Sequence, residues 1–194
     1  MLEVRRLSRS EAEAAFDDLA QLRIEVFRDF PYLYEGDLDY ERQYISTFMK
    51  SAGAVVIGAL DGERLVGAAT GSPLTDHFEE FGKPFVERGL DPAGYFYFGE
   101  SVLQKNYRGQ GIGVRFFEER ERAAREQGFS ACVFSSVVRP ADHPARPADY
   151  VPLNTFWAKR GYARVDGLMT QFSWRDIGDE AESPKPMEIW SRQL

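Results

Sequence analysis

The sequence predicts an α/β (α+β) fold: a central mixed sheet of about six to seven strands, with a bulged central strand and helices on both faces. Three observations carry this expectation. Two apolar, β-rich runs, 54–60 and 64–70, are joined through Asp61-Gly62, a dipeptide suited to the positive backbone angles of a tight hairpin. The run Tyr95-Phe-Tyr-Phe-Gly-Glu-Ser-Val-Leu103 has the bulky side chains of a central strand, and the glycine inside it marks a bulge. From 95 to 138 the order strand, glycine loop, helix, strand makes a βαβ crossover, whose two strands lie parallel. With 194 residues, 43% of them hydrophobic, the chain has material for one compact core, which excludes a fibre or a disordered tail.

The remaining elements follow in order. Leu2 to Leu7 alternates as a short edge strand. Ser10 is placed to cap a helix whose apolar positions, Ala14, Phe16, Leu19, Leu22, Val26 and Phe27, recur at helical spacing up to Arg28. The stretch Phe30-Pro-Tyr-Leu-Tyr-Glu-Gly36 breaks it, and a second helix spans 38–50. The charged stretch 76–89 reads as helix. The helix 112–127 turns Phe116, Phe117, Ala123 and Ala124 inward and the pairs Glu118/Arg122 and Glu121/Arg125 outward, with Arg120, Arg122 and Arg125 on a solvated face. Residues 131–138 form the next strand; a proline-interrupted loop 139–152, a helix 153–160 and a last strand 162–174 complete a single domain over 1–175. Residues 176–194 read as a C-terminal tail, partly ordered or packed on the domain; its Ile189 and Trp190 could equally meet a second subunit, which leaves a homo-oligomer open.

Charge and composition narrow the function. Lysine and arginine total 24 against 31 acids, a formal charge of -7, which argues against a surface built for nucleic-acid phosphates. Cys132 is the single cysteine and His77 and His143 the only histidines, so neither a disulfide framework nor a metal site is expected. The N-terminal residues MLEVRRLSRSEAEAAF are too charged for a secretory signal, and no run reaches the length of a membrane helix; the expectation is a soluble cytoplasmic protein without a membrane partner.

The most informative stretch is Tyr107-Arg-Gly-Gln-Gly-Ile-Gly113, between the central strand and the long helix. Glycines at alternate positions let the backbone approach a ligand, and a helix start offers unpaired N–H groups and a positive dipole end; a pyrophosphate is the natural occupant, with Arg108 as a permanent cation at its entrance. Other phosphate loops fail on spacing. A Walker A loop needs Gly-Lys-Ser/Thr where Gly113-Val114-Arg115 stands, and the dinucleotide fingerprint needs a glycine at Val114 or Phe116. A nucleophile elbow around Ser101 needs a glycine where Leu103 stands.

Arg108-Gly-Gln-Gly111-Ile-Gly113 resembles the acetyl-coenzyme A loop of the GNAT superfamily of N-acetyltransferases, Arg/Gln-x-x-Gly-x-Gly/Ala, at every fixed position. The bulged strand before it and Asn154-Thr-Phe156-Trp157-Ala-Lys-Arg-Gly161-Tyr162 after it extend the resemblance from Leu2 to Trp174. It implies direct transfer of an acetyl or other acyl group from acetyl-CoA to an amine, without a covalent enzyme intermediate. It also implies that backbone groups of Val102, Leu103 and Gln104 pair with the pantetheine arm, that the loop of Arg108, Gly109, Gln110, Gly111, Ile112 and Gly113 holds the pyrophosphate, and that Asn154 assists. A donor near Leu103 would polarise the thioester oxygen.

An attacking amine must lose a proton, and Glu100, on the strand the family uses for its base, is the candidate; the alternative is a carboxylate that shapes the bulge or binds substrate charge. The family's tyrosine acid is not carried over, because Trp157 stands there and an indole N–H is no practical acid. Tyr150 or water is left to protonate the departing thiolate. His143 reads as a solvated loop residue or part of a cover over the cleft, His77 as a surface residue, Trp157 as core and Cys132 as a buried, inert thiol. Tyr32, Tyr34 and Glu35 belong to a stretch rich in aromatics and acids that suits a cationic acceptor. The expected function is N-acetylation of a primary amine on a small molecule; a noncatalytic acyl-CoA sensor and an acetyltransferase for a protein or peptide amine are the alternatives.

Overall fold

The computed structural model describes residues 1–194, the side chain of Phe78 aside. Its strands are β1 (Leu2–Arg6), β2 (Val55–Asp61), β3 (Arg64–Pro73), β4 (Tyr95–Leu103), β5 (Ala131–Val137), β6 (Ala163–Trp174) and β7 (Ser183–Gln193). The helices are α1 (Arg9–Ala14), α2 (Phe16–Phe27), α3 (Leu38–Phe48), α4 (Lys83–Glu87), α5 (Ile112–Glu126) and α6 (Asn154–Lys159). The strands form one seven-stranded mixed sheet in the order β1-β2-β3-β4-β5-β7-β6, within which β4 and β5 are parallel and their neighbours antiparallel.

Side-chain alternation divides the core into two layers. Val56, Ala68 and Val102 meet Leu19, Leu22, Ile45 and Phe48 of α2 and α3 on one face. Ile57, Val66 and Ala69 meet Ile112 and Phe116 of α5 on the other, where Phe98 and Phe134 also pack against Phe117. Gly62, with φ +62°, makes the Asp61-Gly62 turn between β2 and β3.

Four expectations are corrected. Ser8, rather than Ser10, caps the first helix, through a capping box with Glu11, and the helix is interrupted at Ala15 to give α1 and α2. The stretch 76–89 is not one helix but a 3₁₀ turn, a π turn and the short α4: Pro84 lacks the N–H and the room to continue a helix, so it sits in the first turn of a new one.

The strand 162–174 is not the last. The tail supplies β7, which inserts between β5 and β6 and buries Met187, Ile189 and Trp190 within the domain. Pro184 and Pro186 conceal it in the sequence. They are tolerated at the end of the β5 ladder: both precede Met187, the last residue paired with β5, and Pro186 is held there through its oxygen, which accepts from the Val138 N–H at 2.9 Å.

The fourth correction concerns α5. Arg120 is 1% exposed and Glu121 is buried, so neither belongs to a solvated face; Glu121 accepts from the Tyr162 hydroxyl at 3.0 Å and from Arg192 at 2.8 and 2.9 Å. Arg120 occupies the core spacing set by Phe116, Ala123 and Ala124, a position that its charge disguises.

Candidate active site

The site begins with one extra residue in β4. Ala69 faces Ser101 and Gly71 faces Phe98, so Thr70 of β3 stands opposite both Gly99 and Glu100. The bulge reverses the alternation that follows. Tyr97 points to the α2–α4 side, and the inserted residue brings Glu100 and Val102 to that side too, while Phe98 and Ser101 face α5. A side chain at Gly99 would stand 2.5 Å from Thr70 Oγ1, so the bulge requires glycine there.

Carbonyls displaced from the ladder need other donors. Arg120 supplies them: one guanidinium nitrogen donates to Thr70 O and to Glu100 O, both at 3.2 Å, and the other terminal nitrogen to Ser101 Oγ at 2.9 Å. Its plane lies 4.1 Å from the centre of the Phe98 ring, and burial lowers its pKa to about 10. The Glu100 N–H donates to Thr70 Oγ1 at 3.2 Å.

The parallel ladder of β4 and β5 ends at Phe98↔Phe134, so the two strands part at the bulge. On the α2–α4 side of this split lies a cavity of about 540 Å³. Gly99, Glu100, Tyr97 and Ser135 form one wall, and the Tyr97 hydroxyl meets Ser135 Oγ at 3.1 Å. Tyr32, Tyr34 and Glu35 also line it, together with Tyr40, Glu41 and Tyr44 from α3. Burial pushes the Tyr32 phenol up to about 12 and raises Tyr34 and Tyr44 further, so all three are neutral hydrogen-bonding groups at physiological pH.

Glu100 is 5% exposed and is not free. Arg23 of α2 reaches its Oε2 at 2.6 Å and, through Nε, also holds Glu41, giving a buried Glu–Arg–Glu group over the Tyr44 ring. Sequence analysis missed both partners. Arg23 follows Leu19 by four residues and precedes Val26 by three, so a charge at core spacing was the available signal.

His77 is also a lining residue rather than a surface one. Its Nε2 lies 2.7 Å from Ser72 Oγ, and its ring packs on Tyr97, 5.0 Å between centres. Burial lowers its pKa from the ordinary value near 6.5, so the folded state resists protonation. This stabilisation is fully present above the unfolded pKa and is lost as pH falls below it. The midpoint of thermal unfolding should therefore drop between pH 7 and pH 5 by more in the wild type than in His77→Gln, and equal slopes would contradict the assignment.

Gly109 and Gly111 have φ of +77° and +79°, and α5 starts at Ile112. Among the described residues no backbone N–H from Gly109 to Gly113 donates to a protein acceptor. Arg108 donates to Leu103 O at 3.3 Å, and Lys105 pairs with Asp29 at 3.0 Å beside it. Of the three residues expected to meet the pantetheine arm, Gln104 is already engaged on the β3 side, its N–H donating to Val66 O at 3.0 Å. Val102, two residues back and paired with Ala68, faces the same way, so alternation leaves Leu103 as the backbone directed at the open edge.

The late segment is less concentrated. Asn154 opens α6, and the Phe156 ring lies 3.4 Å from where a Gly113 side chain would stand, so α6 adjoins the loop. Trp157 packs between Phe134 and Trp190, and Cys132 is buried with its thiol pushed up to about 12. Tyr150 lies edge-on against Phe30 and under Arg146, outside the cavity wall, and His143 packs near the same Phe30. The 139–152 loop is pinned at its start by Arg139, which donates to Pro31 O and Tyr32 O and pairs with Asp176 at 2.7 Å.

A bulged central strand, a parting of β4 from β5 and an amide-lined loop before α5 define an acyl-coenzyme A transferase. Residues 16–148 match the acetyltransferase (GNAT) family, and the chain belongs to that family. A comparison with curated proteins finds no significant match. Similar solved structures include a ribosomal-protein-alanine N-acetyltransferase from Brucella melitensis, 14% identical, covering 99% of each chain with a TM-score of 0.62. A candidate acetyltransferase from Salmonella typhimurium, solved with its cofactor acetyl-CoA, is 11% identical over 100% of this chain and 94% of its own, with a TM-score of 0.60. An aminoglycoside 6'-acetyltransferase type Ii is 16% identical over 98% and 96%, with a TM-score of 0.60. Among the described residues no helix is long and apolar enough to cross a membrane.

Proposed function

We propose that the chain moves an acetyl group from acetyl-CoA to a primary amine of a small molecule held in the 540 Å³ cavity. The observation that carries this reading is the meeting of three features at one place: the β4–β5 ladder ends at the bulge, the cavity opens on Gly99, Glu100 and Ser135, and the unpaired amides lie along the same strand's continuation. Acetyl-CoA supplies the acyl carbon: a C–N bond forms, the C–S bond breaks, and the proton lost by the amine balances the thiolate released.

The residues of the chain have separate tasks. The N–H groups from Gly109 to Gly113, with Arg108 beside them, hold the diphosphate at the positive end of α5. The Leu103 N–H is the donor directed at the acyl oxygen. Glu100 is the proton acceptor for the amine, directly or through one water, and Arg23 fixes its orientation. No proton-donor role is built on Tyr150; with a pKa near 8.5 for an ordinary thiol, water suffices.

The loop offers the first test. Gly111→Val adds a side chain whose Cβ meets nothing within 4 Å, so its main effect is on the backbone. A left-handed φ is disfavoured for valine by about 1–2 kcal/mol, so the unliganded loop relaxes out of it and coenzyme A should bind about ten-fold more weakly by calorimetry, while the unfolding midpoint falls by no more than about 8 °C. Unchanged affinity would remove the loop from the binding site.

A further inference from the structure

Tyr32 and Tyr34 reach the cavity from a segment with an unfavourable backbone. Leu33, between them, has φ +56°, the one positive φ of a non-glycine residue among the described residues. A left-handed leucine persists only where its surroundings impose it. Three successive carbonyls carry that constraint, and each accepts from outside the segment. Pro31 O accepts from Arg139 Nε at 2.8 Å; Tyr32 O accepts from a terminal nitrogen of Arg139 at 2.7 Å and from Trp174 Nε1 at 2.9 Å; Leu33 O accepts from the Ile177 N–H at 2.7 Å. The Arg139 side chain is 9% exposed and is itself fixed by a two-pronged pair with Asp176, at 2.7 and 2.9 Å. Asp176 bridges to the backbone of Tyr34 and lies 3.4 Å from the buried Lys185. Arg139 is not a lining residue; it stands behind the segment.

We infer, resting on the proposed transfer reaction, that Arg139 is a positioning residue of the acceptor site: by holding Pro31 O and Tyr32 O it imposes the left-handed turn at Leu33 that sets Tyr32 and Tyr34 against the acceptor. Arg139 touches neither substrate nor cofactor. Its loss lets Leu33 relax to an ordinary φ and carries both rings away from the amine, while Glu100 on β4 and the loop before α5 stay in place. The effect falls on acceptor binding and not on thioester binding.

Arg139→Met leaves Asp176 with Lys185 and Tyr32 O with Trp174, so the fold is expected to survive. Two readouts on the full chain test the inference. Hydrogen exchange should quicken about ten-fold or more at the Tyr34 and Glu35 amides, which donate to Phe27 O and Arg175 O, with the β2–β3 hairpin unchanged. Thiol release from acetyl-CoA is measured with 1-aminobutane, 1,4-diaminobutane, 2-phenylethylamine, glucosamine and alaninamide, and the fastest of them is the probe. Its KM should rise about ten-fold, with kcat and the KM for acetyl-CoA within about two-fold of the wild type. Arg139→Lys keeps the charge without the planar fork and should fall between. Glycine takes a left-handed φ freely, so in a Leu33→Gly background Arg139→Met should raise that KM no more than about three-fold. A merely structural arginine gives no such pattern: Arg88→Met, which removes donors from Asp166 O and Gly167 O outside the cavity, should leave the amine KM unchanged. Wild-type exchange and amine KM in Arg139→Met, an equal rise in Arg88→Met, or the full rise in the Leu33→Gly background would overturn the inference. No thiol release from the wild type with any of the five amines would defeat the proposed function instead, and the exchange result would still decide whether Arg139 holds the segment.

Discussion

Arg120→Met is expected to lower the unfolding free energy by about 3 kcal/mol, because the two bulge carbonyls, Thr70 O and Glu100 O, lose their donor and each buried unmet acceptor is worth roughly 1–3 kcal/mol. Methionine retains much of the side-chain volume, so the loss reports hydrogen bonding more than packing. The bulge should then close or shift, and coenzyme A affinity should fall at least ten-fold along with stability. Arg122→Met on the same helix, where the guanidinium is exposed and pairs with Glu119, should change stability by no more than about 0.5 kcal/mol. Denaturant unfolding of both variants checks the contrast. Equal stability of the two would mean that β4 holds its bulge without α5.

Glu100→Gln should reduce kcat/KM for the amine about 100-fold, the lower range for removing a general base, while the KM for acetyl-CoA stays unchanged. The fold should tolerate this exchange. Glutamine can still accept from Arg23, and the ion pair of Arg23 with Glu41 is kept. A wild-type rate across the pH range would assign Glu100 to shaping the site and leave the proton to another group.

Much of the frame was legible in the sequence because it is written in local chemistry. Asp61-Gly62 marks its hairpin, Gly99 its bulge, and Gly109 and Gly111 the left-handed turns before α5, each through backbone constraints that act within a few residues. The parts that were missed depend on distance. Arg23 and Glu41 are 18 residues apart and meet only when α2 packs on α3, so no local pattern joins them. Arg120 was assigned to solvent because charge usually goes there; the bulge that demands its guanidinium lies on another element. His77 reached the cavity wall because Pro84 divides its stretch into short turns, and β7 was hidden by two prolines that its place beyond the end of β5 makes harmless. Tyr32, Tyr34 and Glu35 were singled out by composition and by their place between the first two helices, and they line the same cavity as the aromatic and acidic groups of α3.

The measurement that bears most directly on the central claim is a paired calorimetric titration of the protein with coenzyme A and with pantetheine, which has the same thiol arm and no diphosphate. If the amides from Gly109 to Gly113 grip the diphosphate, coenzyme A binds at a single site and pantetheine binds at least 100-fold more weakly. Equal affinities for the two, or no heat with either, would contradict the account.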